Sequence, residues 1–117
     1  MNALDKSSLT LTSCASKKGN AIPAISVKET MRKVEKNKSE TVDRNNFVLI
    51  QTPQCFQISL IKKAYLQKFS TRFTDDASVV ESMGVKINLV AGETRNIKIT
   101  TPEDFEMAEV IASISRL

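Results

Sequence analysis

The sequence predicts an α/β layer fold, and three observations carry that reading. Residues 45–117 alternate apolar runs of strand length with segments whose apolar residues recur at helical spacing. Phe47-Val48-Leu49-Ile50-Gln51 is the strongest strand signal in the chain, and Thr52-Pro53 stops it. Thr101-Pro102-Glu103-Asp104 is a near-ideal helix start, with a threonine cap, proline at the first helical position and acids in the first turn.

Taken in order, residues 1–18 are rich in Ser and Thr with scattered apolar residues, and read as a poor helix or a frayed terminus. Gly19-Asn20 is a stop and turn signal. Residues 21–27 form a short apolar strand, although Pro23 argues against a fully central ladder position. Residues 28–44 are charged, with β-leaning pieces on either side of the turn-like cluster Lys36-Asn37-Lys38-Ser39. They read either as a projecting hairpin arm or as a solvated charged loop. Residues 58–68 carry Ile58, Ile61, Ala64 and Tyr65 at helical spacing. Thr74 or Asp75 caps a helix through Val79, Val80 and Met83, and Gly84 stops it. Residues 87–90 form a short strand. Residues 96–100 (Asn-Ile-Lys-Ile-Thr) alternate as a half-buried strand should. The last helix follows, with Phe105, Ala108, Ile111 and Ala112 as its apolar stripe. Four short strands are few for a parallel sheet, which needs cover on both faces and neighbours on both sides. The chain is therefore expected to be part of a larger sheet.

Composition narrows the chemistry. At 117 residues, 41% hydrophobic and 26% charged, this is one globular domain. No apolar run reaches the roughly 18 residues of a membrane span, and the start lacks a signal-peptide pattern. Cys14 and Cys55 stand far apart, outside any metal or disulfide pattern, and read as free thiols of a reducing cytoplasm. The chain contains no histidine, which removes the commonest general base and transition-metal ligand. What remains suits phosphoryl or nucleotidyl transfer, where a protein mainly positions groups and stabilises charge. A net charge of +4 with sparse aromatics argues against nucleic acid and for a small anionic substrate.

Six segments in order carry a resemblance: Gly19-Asn20-Ala21-Ile22-Pro23-Ala24, Lys28-Glu29-Thr30-Met31-Arg32, Thr41-Val42-Asp43-Arg44-Asn45, Gln51-Thr52-Pro53-Gln54-Cys55-Phe56, Phe73-Thr74-Asp75-Asp76-Ala77-Ser78-Val79-Val80-Glu81, and Asn96-Ile97-Lys98-Ile99-Thr100-Thr101-Pro102-Glu103-Asp104. Over about residues 19–115 the chain resembles the C-terminal half of methylerythritol-phosphate cytidylyltransferases. The resemblance implies a Rossmann-like nucleotidyltransferase fold with a projecting β-arm at residues 28–44 that crosses into the partner of a homodimer. It implies transfer of a cytidylyl group from CTP to 2-C-methyl-D-erythritol 4-phosphate, releasing pyrophosphate, in non-mevalonate isoprenoid synthesis. The family's glycine-rich CTP loop and its Mg²⁺-holding acid have no counterpart here. Mg²⁺ is therefore expected to be held in the N-terminal half, and this chain alone is expected to be inactive. Glu29 stands where the family usually has Asp, and residues 1–18 match poorly.

Five residues are singled out. Lys98, on an alternating strand, points away from the face that Ile97 and Ile99 bury, as a cation for the substrate phosphate or as a solvated lysine. The family motif makes it the catalytic candidate. Thr30 and Arg44 stand at the two ends of the arm, where a hairpin would bring them together on one phosphate. The alternative for Arg44 is an exposed pair with Asp43 or Glu40. By resemblance, Thr30 and Arg44 reach the phosphate site of the neighbouring subunit. Thr52 follows the central strand and would border a ligand crevice, or else serves the turn before Pro53. Thr74 donates a hydroxyl to substrate, caps the next helix, or both. Asp75 and Asp76 are ordinary acids of a first helical turn and are not assigned to metal. The competing readings are a pentitol-phosphate cytidylyltransferase and a non-catalytic dimerising fragment.

Overall fold

The computed structural model describes residues 3–115, with side chains from Thr10 onward. It opens on helix α1 (Ala3–Lys18), so the Ser- and Thr-rich start is helical from residue 3. Leu11 and Ala15, four apart on one face, are buried. Gly19, at φ 95°, ends the helix by donating to the Ala15 carbonyl at 2.9 Å. A left-handed residue of this kind is cheap only for glycine. The turn stops there, because Asn20 already opens strand β1 (Asn20–Ser26).

Strand β1 is the spine of a four-stranded sheet. On one side it pairs antiparallel with β4 (Val48–Ile50) and β5 (Cys55–Phe56), and on the other it pairs parallel with β6 (Leu89–Ala91). Two expectations are corrected here. Pro23 does occupy a central strand. Its carbonyl accepts from Gln51 at 2.9 Å, and the N–H it lacks would have faced the point where β4 has already ended. The parallel ladder to β6 runs instead through Ile22, which donates to Asn88, and Ala24, which accepts from Gly92. The proline thus costs the parallel ladder nothing, and on the β4 side it forgoes only the return bond to Gln51, one residue past the end of β4. The strong strand around Val48–Ile50, in turn, is an edge and not the centre. Its three residues pair with β1 alone and are about half exposed.

Residues 31–42 form a two-stranded hairpin, β2 (Met31–Glu35) and β3 (Lys38–Val42), registered from Met31↔Val42 to Glu35↔Lys38. This decides between arm and loop in favour of a hairpin. Its two-residue turn holds Lys36 at φ 53°. Arg32 braces the outer strand by donating to Ser39 and Thr41 side chains at 3.0 and 2.8 Å. A short 3-10 turn (Arg44–Asn46), capped by Asp43, leads into β4.

Two small cores hold the body together. Leu11, Ala15 and Ala21, with Cys14, Cys55 and Val90, fasten α1 to the sheet. Ala64, Val79 and Val80, with Phe56, Leu60 and Phe73 among others, join helix α2 (Ile58–Ala64) to helix α3 (Asp76–Glu81). Each fully buried Leu or Val in these cores stabilises by about 1.5–3 kcal/mol. Helix α2 is shorter than its periodicity suggests, and Ile58 and Tyr65 lie exposed at its ends. Residues 96–100 are not a strand. They belong to an irregular segment after β6, because no neighbouring strand offers a ladder there. Helix α4 (Pro102–Ser115) starts as expected, with Thr101 accepting from Asp104 N at 3.2 Å, but buries none of its residues. The hairpin and α4 make the shape extended, with a radius of gyration of 16.6 Å. A compact domain of this length would have about 13 Å. No described helix is long and apolar enough to cross a membrane.

Candidate substrate-phosphate site

The segment Gln51-Thr52-Pro53-Gln54 is a hub. Gln51 sends its side chain across β1 to the loop that follows β6. There its Nε2 donates to the carbonyls of Glu93 and Asn96 at 2.7 and 3.1 Å, and its Oε1 accepts from Glu93 N at 3.0 Å. Asn96 Nδ2 returns to the Thr52 carbonyl. Three residues on, Gln54 grips the start of α3. Its Nε2 donates to Asp75 Oδ2 at 2.9 Å, and its Oε1 accepts from Ala77 N at 3.1 Å. Thr52 therefore stands between two glutamines, one tied to the segment carrying Lys98 and the other to the helix start beside Thr74.

Thr52 is exposed. The crevice rule, which concerns carboxyl ends of parallel strands, does not place it, since β4 runs antiparallel to β1. What places it is the pair of side-chain amides on either side. Thr74 is also exposed and is not the cap. Asp75 caps α3 in a reciprocal capping box with Ser78, accepting from Ser78 N at 2.8 Å. The Thr74 backbone donates to the Ser78 hydroxyl at 2.9 Å, and Thr74 lines a cleft of about 380 Å³ with Ile22, Ile50, Asp75 and Leu89 among others.

Lys98 is exposed on the irregular segment, so the alternation argument for its direction does not hold. Gln51 and Asn96 make their bonds two to five residues before it, and Thr100, two residues after it, donates to Asp104. Thr30 and Arg44 flank the two ends of the hairpin at its base, where Met31 pairs with Val42. Arg44 donates Nη1 to the Lys28 carbonyl rather than pairing with Asp43 or Glu40. Thr30 and Lys28 line a second cleft of about 520 Å³, whose far wall includes Leu49 and Thr94. Lys98 lines neither cleft. Within this one chain, then, side-chain bonds from the residues around Thr52 reach the Lys98 segment and the helix start beside Thr74, while Thr30 and Arg44 stand at the hairpin base.

The electrostatics follow from these contacts. Partial burial alone would raise the Asp75 carboxyl, but hydrogen bonds from Gln54 and Ser78 outweigh it and hold the group below its usual range. Asp104 is lowered by the Thr100 hydroxyl and by the Thr100 and Thr101 backbone amides at the start of α4. Asp76 accepts from the Tyr65 hydroxyl. With Asp75 committed to a cap and Asp76 to a phenol, these acids do not fit a metal centre. Among the described residues no group of three or more Cys, Asp or Glu side chains gathers.

The family model for 2-C-methyl-D-erythritol 4-phosphate cytidylyltransferase matches residues 3–113. The chain belongs to that family. The cytidylyltransferase of that name from Phocaeicola vulgatus is 53% identical over 97 residues, 83% of this chain and 44% of its own length. That of Bacteroides fragilis is 54% identical over 90 residues, 77% of this chain and 41% of its own. The crystal structure of the Thermus thermophilus cytidylyltransferase is similar at a TM-score of 0.78 and 31% identity, covering 91% of this chain and 54% of that one. The chain thus spans about half the length of the cytidylyltransferases it matches. The α/β fold is that of the family's nucleotidyltransferase structures.

Reading the sequence for catalytic groups passed over Gln51, Gly92 and Asn96. The only available signal was that two glutamines bracket Thr52, and glutamine spacing alone does not reveal which backbone groups a side chain will reach.

Proposed function

We propose that this chain supplies the acceptor-phosphate side of a cytidylyl-transfer site. In that reaction an oxygen of the acceptor's phosphate attacks the α-phosphorus of CTP, the bond to the β-phosphate breaks, and pyrophosphate leaves. Lys98 is the cation that offsets the charge spread over the reacting phosphates, and Thr52 and Thr74 offer hydroxyl donors beside it. Thr30 and Arg44, carried on the hairpin, complete the grip from the neighbouring subunit of a two-fold dimer. The observation that carries this reading is the hub, in which Thr52 is bonded through flanking side chains to the loop of Lys98 and the helix start of Thr74.

The acceptor is 2-C-methyl-D-erythritol 4-phosphate, the substrate named for the relatives matched along most of the chain. A pentitol phosphate is the competing acceptor, and a substrate panel separates the two. With Gly19, Gly84 and Gly92 as its only glycines, the chain has no glycine-rich loop to cradle a triphosphate. By itself it therefore transfers no cytidylyl group. Mg²⁺ and CTP belong to acids and amides outside residues 3–115.

The test follows Lys98. Titrating the 117-residue chain with methylerythritol phosphate should shift the resonances of Lys98, Thr52 and Thr74, and Lys98→Ala should abolish the response. In a complete enzyme bearing these residues, Lys98→Ala should lower turnover by roughly a hundredfold or more, the usual effect of losing one positioned donor. A response that survives the substitution unchanged refutes the role.

A further inference from the structure

We propose that Gln51 is a positioning residue. Its side-chain amide, passed across β1 where Gly92 leaves room, holds the segment that carries Lys98 against Thr52. The functional consequence rests on the reading of Lys98 given above. The geometry does not.

Beyond Gly92, whose N–H still bonds Ala24, residues 93–100 have no ladder to order them, and holding such a segment in one conformation costs entropy. Gln51 offsets part of that cost with three hydrogen bonds from one side chain. Both amide protons go to carbonyls, of Glu93 and Asn96, and the oxygen takes the Glu93 N–H. This uses three of the four hydrogen-bonding sites a glutamine has. Asn96 then closes a ring by donating to the Thr52 carbonyl. The ring ties a point two residues before Lys98 to the residue next to Gln51 itself.

Side-chain type and length are both required. Glutamate has the length and the acceptor but no donor for the Asn96 carbonyl, while asparagine is shorter by one methylene. Gly92 is the other half of the device. A Cβ there would lie 2.3 Å from Gln51 Oε1 and 3.1 Å from both the Ala24 carbonyl and Ile25 Cγ2. Any side chain at residue 92 would push the amide out of its bonds.

Amide hydrogen exchange and ¹⁵N relaxation on the full 117-residue chain test the proposal. In Gln51→Ala the Glu93 amide should exchange about five to ten times faster, the factor that one hydrogen bond carries. The Lys98 amide should lose order, while the Ile22 amide on β1 stays protected. Gln51→Glu should keep part of the Glu93 protection and still loosen Lys98. Gln54→Ala should loosen residues 74–77 and leave Lys98 as it was. If Gln51→Ala weakens protection throughout the sheet, Gln51→Glu decides the same question. Unchanged order at Lys98 in both Gln51 variants overturns the proposal.

Inorganic phosphate, added to the parent and to both Gln51 variants, separates this inference from the function. A Lys98 response in the parent that weakens several-fold in the variants supports both. A parent with no response sinks the phosphate role of Lys98, while exchange and relaxation still decide whether Gln51 positions it.

Discussion

Asn20, fully buried at the first residue of β1, holds Asn88 by two nitrogens at once. Its Oδ1 accepts from the Asn88 backbone at 2.8 Å and from the Asn88 side chain at 3.3 Å. Its Nδ2 donates to the Lys86 carbonyl at 3.0 Å. This single amide fastens the approach to β6 onto the start of β1. Asn20→Ala takes the partner from the Lys86 carbonyl and the Asn88 N–H, both part-buried bonds, which should cost about 1–3 kcal/mol. Asn20→Asp should destabilise as well, since a carboxylate has no proton for the Lys86 carbonyl. Urea unfolding of the three proteins measures this. A change within about 0.5 kcal/mol, the scale of an ordinary surface substitution, would contradict it.

Asp75 makes stability depend on acid. Its folded carboxyl lies below the ordinary value of 3.8, because Gln54 and Ser78 donate to the charged form and outweigh the opposing effect of burial. A group depressed on folding contributes fully above its unfolded value and loses that contribution as pH falls through the folded one. The parent should therefore be flat in stability above about pH 4 on account of Asp75 and weaken below it. Asp75→Ala should be less stable by about 1 kcal/mol at neutral pH, the usual worth of an N-cap. The difference between the two proteins should shrink as pH is lowered. A difference that stays constant down to acid pH would show that the charge plays no part.

Tyr65 offers a spectroscopic check of α2 against α3. It is the one tyrosine in a chain without tryptophan. The Asp76 carboxylate, accepting a hydrogen bond from the phenol, raises its pKa above the ordinary 10.0, and burial and the charges of Asp76 and Asp75 act in the same direction. The neutral phenol is the form favoured by folding, so this contribution is present below the unfolded value and is lost as pH rises through the folded one. Absorbance titration should give a tyrosinate midpoint above 10.0 in the parent, moving down toward it in Asp76→Asn. Identical midpoints would mean that the contact is not made in solution.

The hairpin should be the oligomer contact. It projects from the body with every residue from Arg32 to Thr41 exposed, although five register pairs hold it in shape. An isologous two-fold contact through it would cover that surface. Replacing residues 29–43 with a short glycine bridge should convert a dimer to a monomer in light scattering, with the cores of α1, α2 and α3 untouched. A dimer that survives the deletion unchanged locates the interface elsewhere.

Local chemistry was legible wherever a residue acts on its near neighbours in sequence. Thr101-Pro102-Glu103-Asp104 starts α4, Gly19 ends α1, and Lys36-Asn37 turns the hairpin, whereas α3 stops at Glu81, three residues before the expected Gly84. Each depends on φ, a cap or a period that a few residues determine among themselves. That the arm would close on itself at its base was legible for the same reason, and Arg44 there reaches the Lys28 carbonyl.

The rest needed the third dimension. An apolar alternation at residues 96–100 becomes a strand only if a neighbour supplies hydrogen bonds, and none does. Strand β4 has the strongest apolar run yet lies at an edge, because pairing order is set by which strand can bond on both sides, and that strand is β1. Pro23 is tolerated at the centre because its missing N–H falls beyond the end of β4, a matter of register and not of residue type. The sequence by itself determined the family and the element types at their caps, and it nominated the residues proposed for the phosphate side. Only the tertiary structure decided which of them stand together. Gln51 and Asn96 are 45 residues apart, and the bond between them exists because β1 brings β4 and β6 to its two sides.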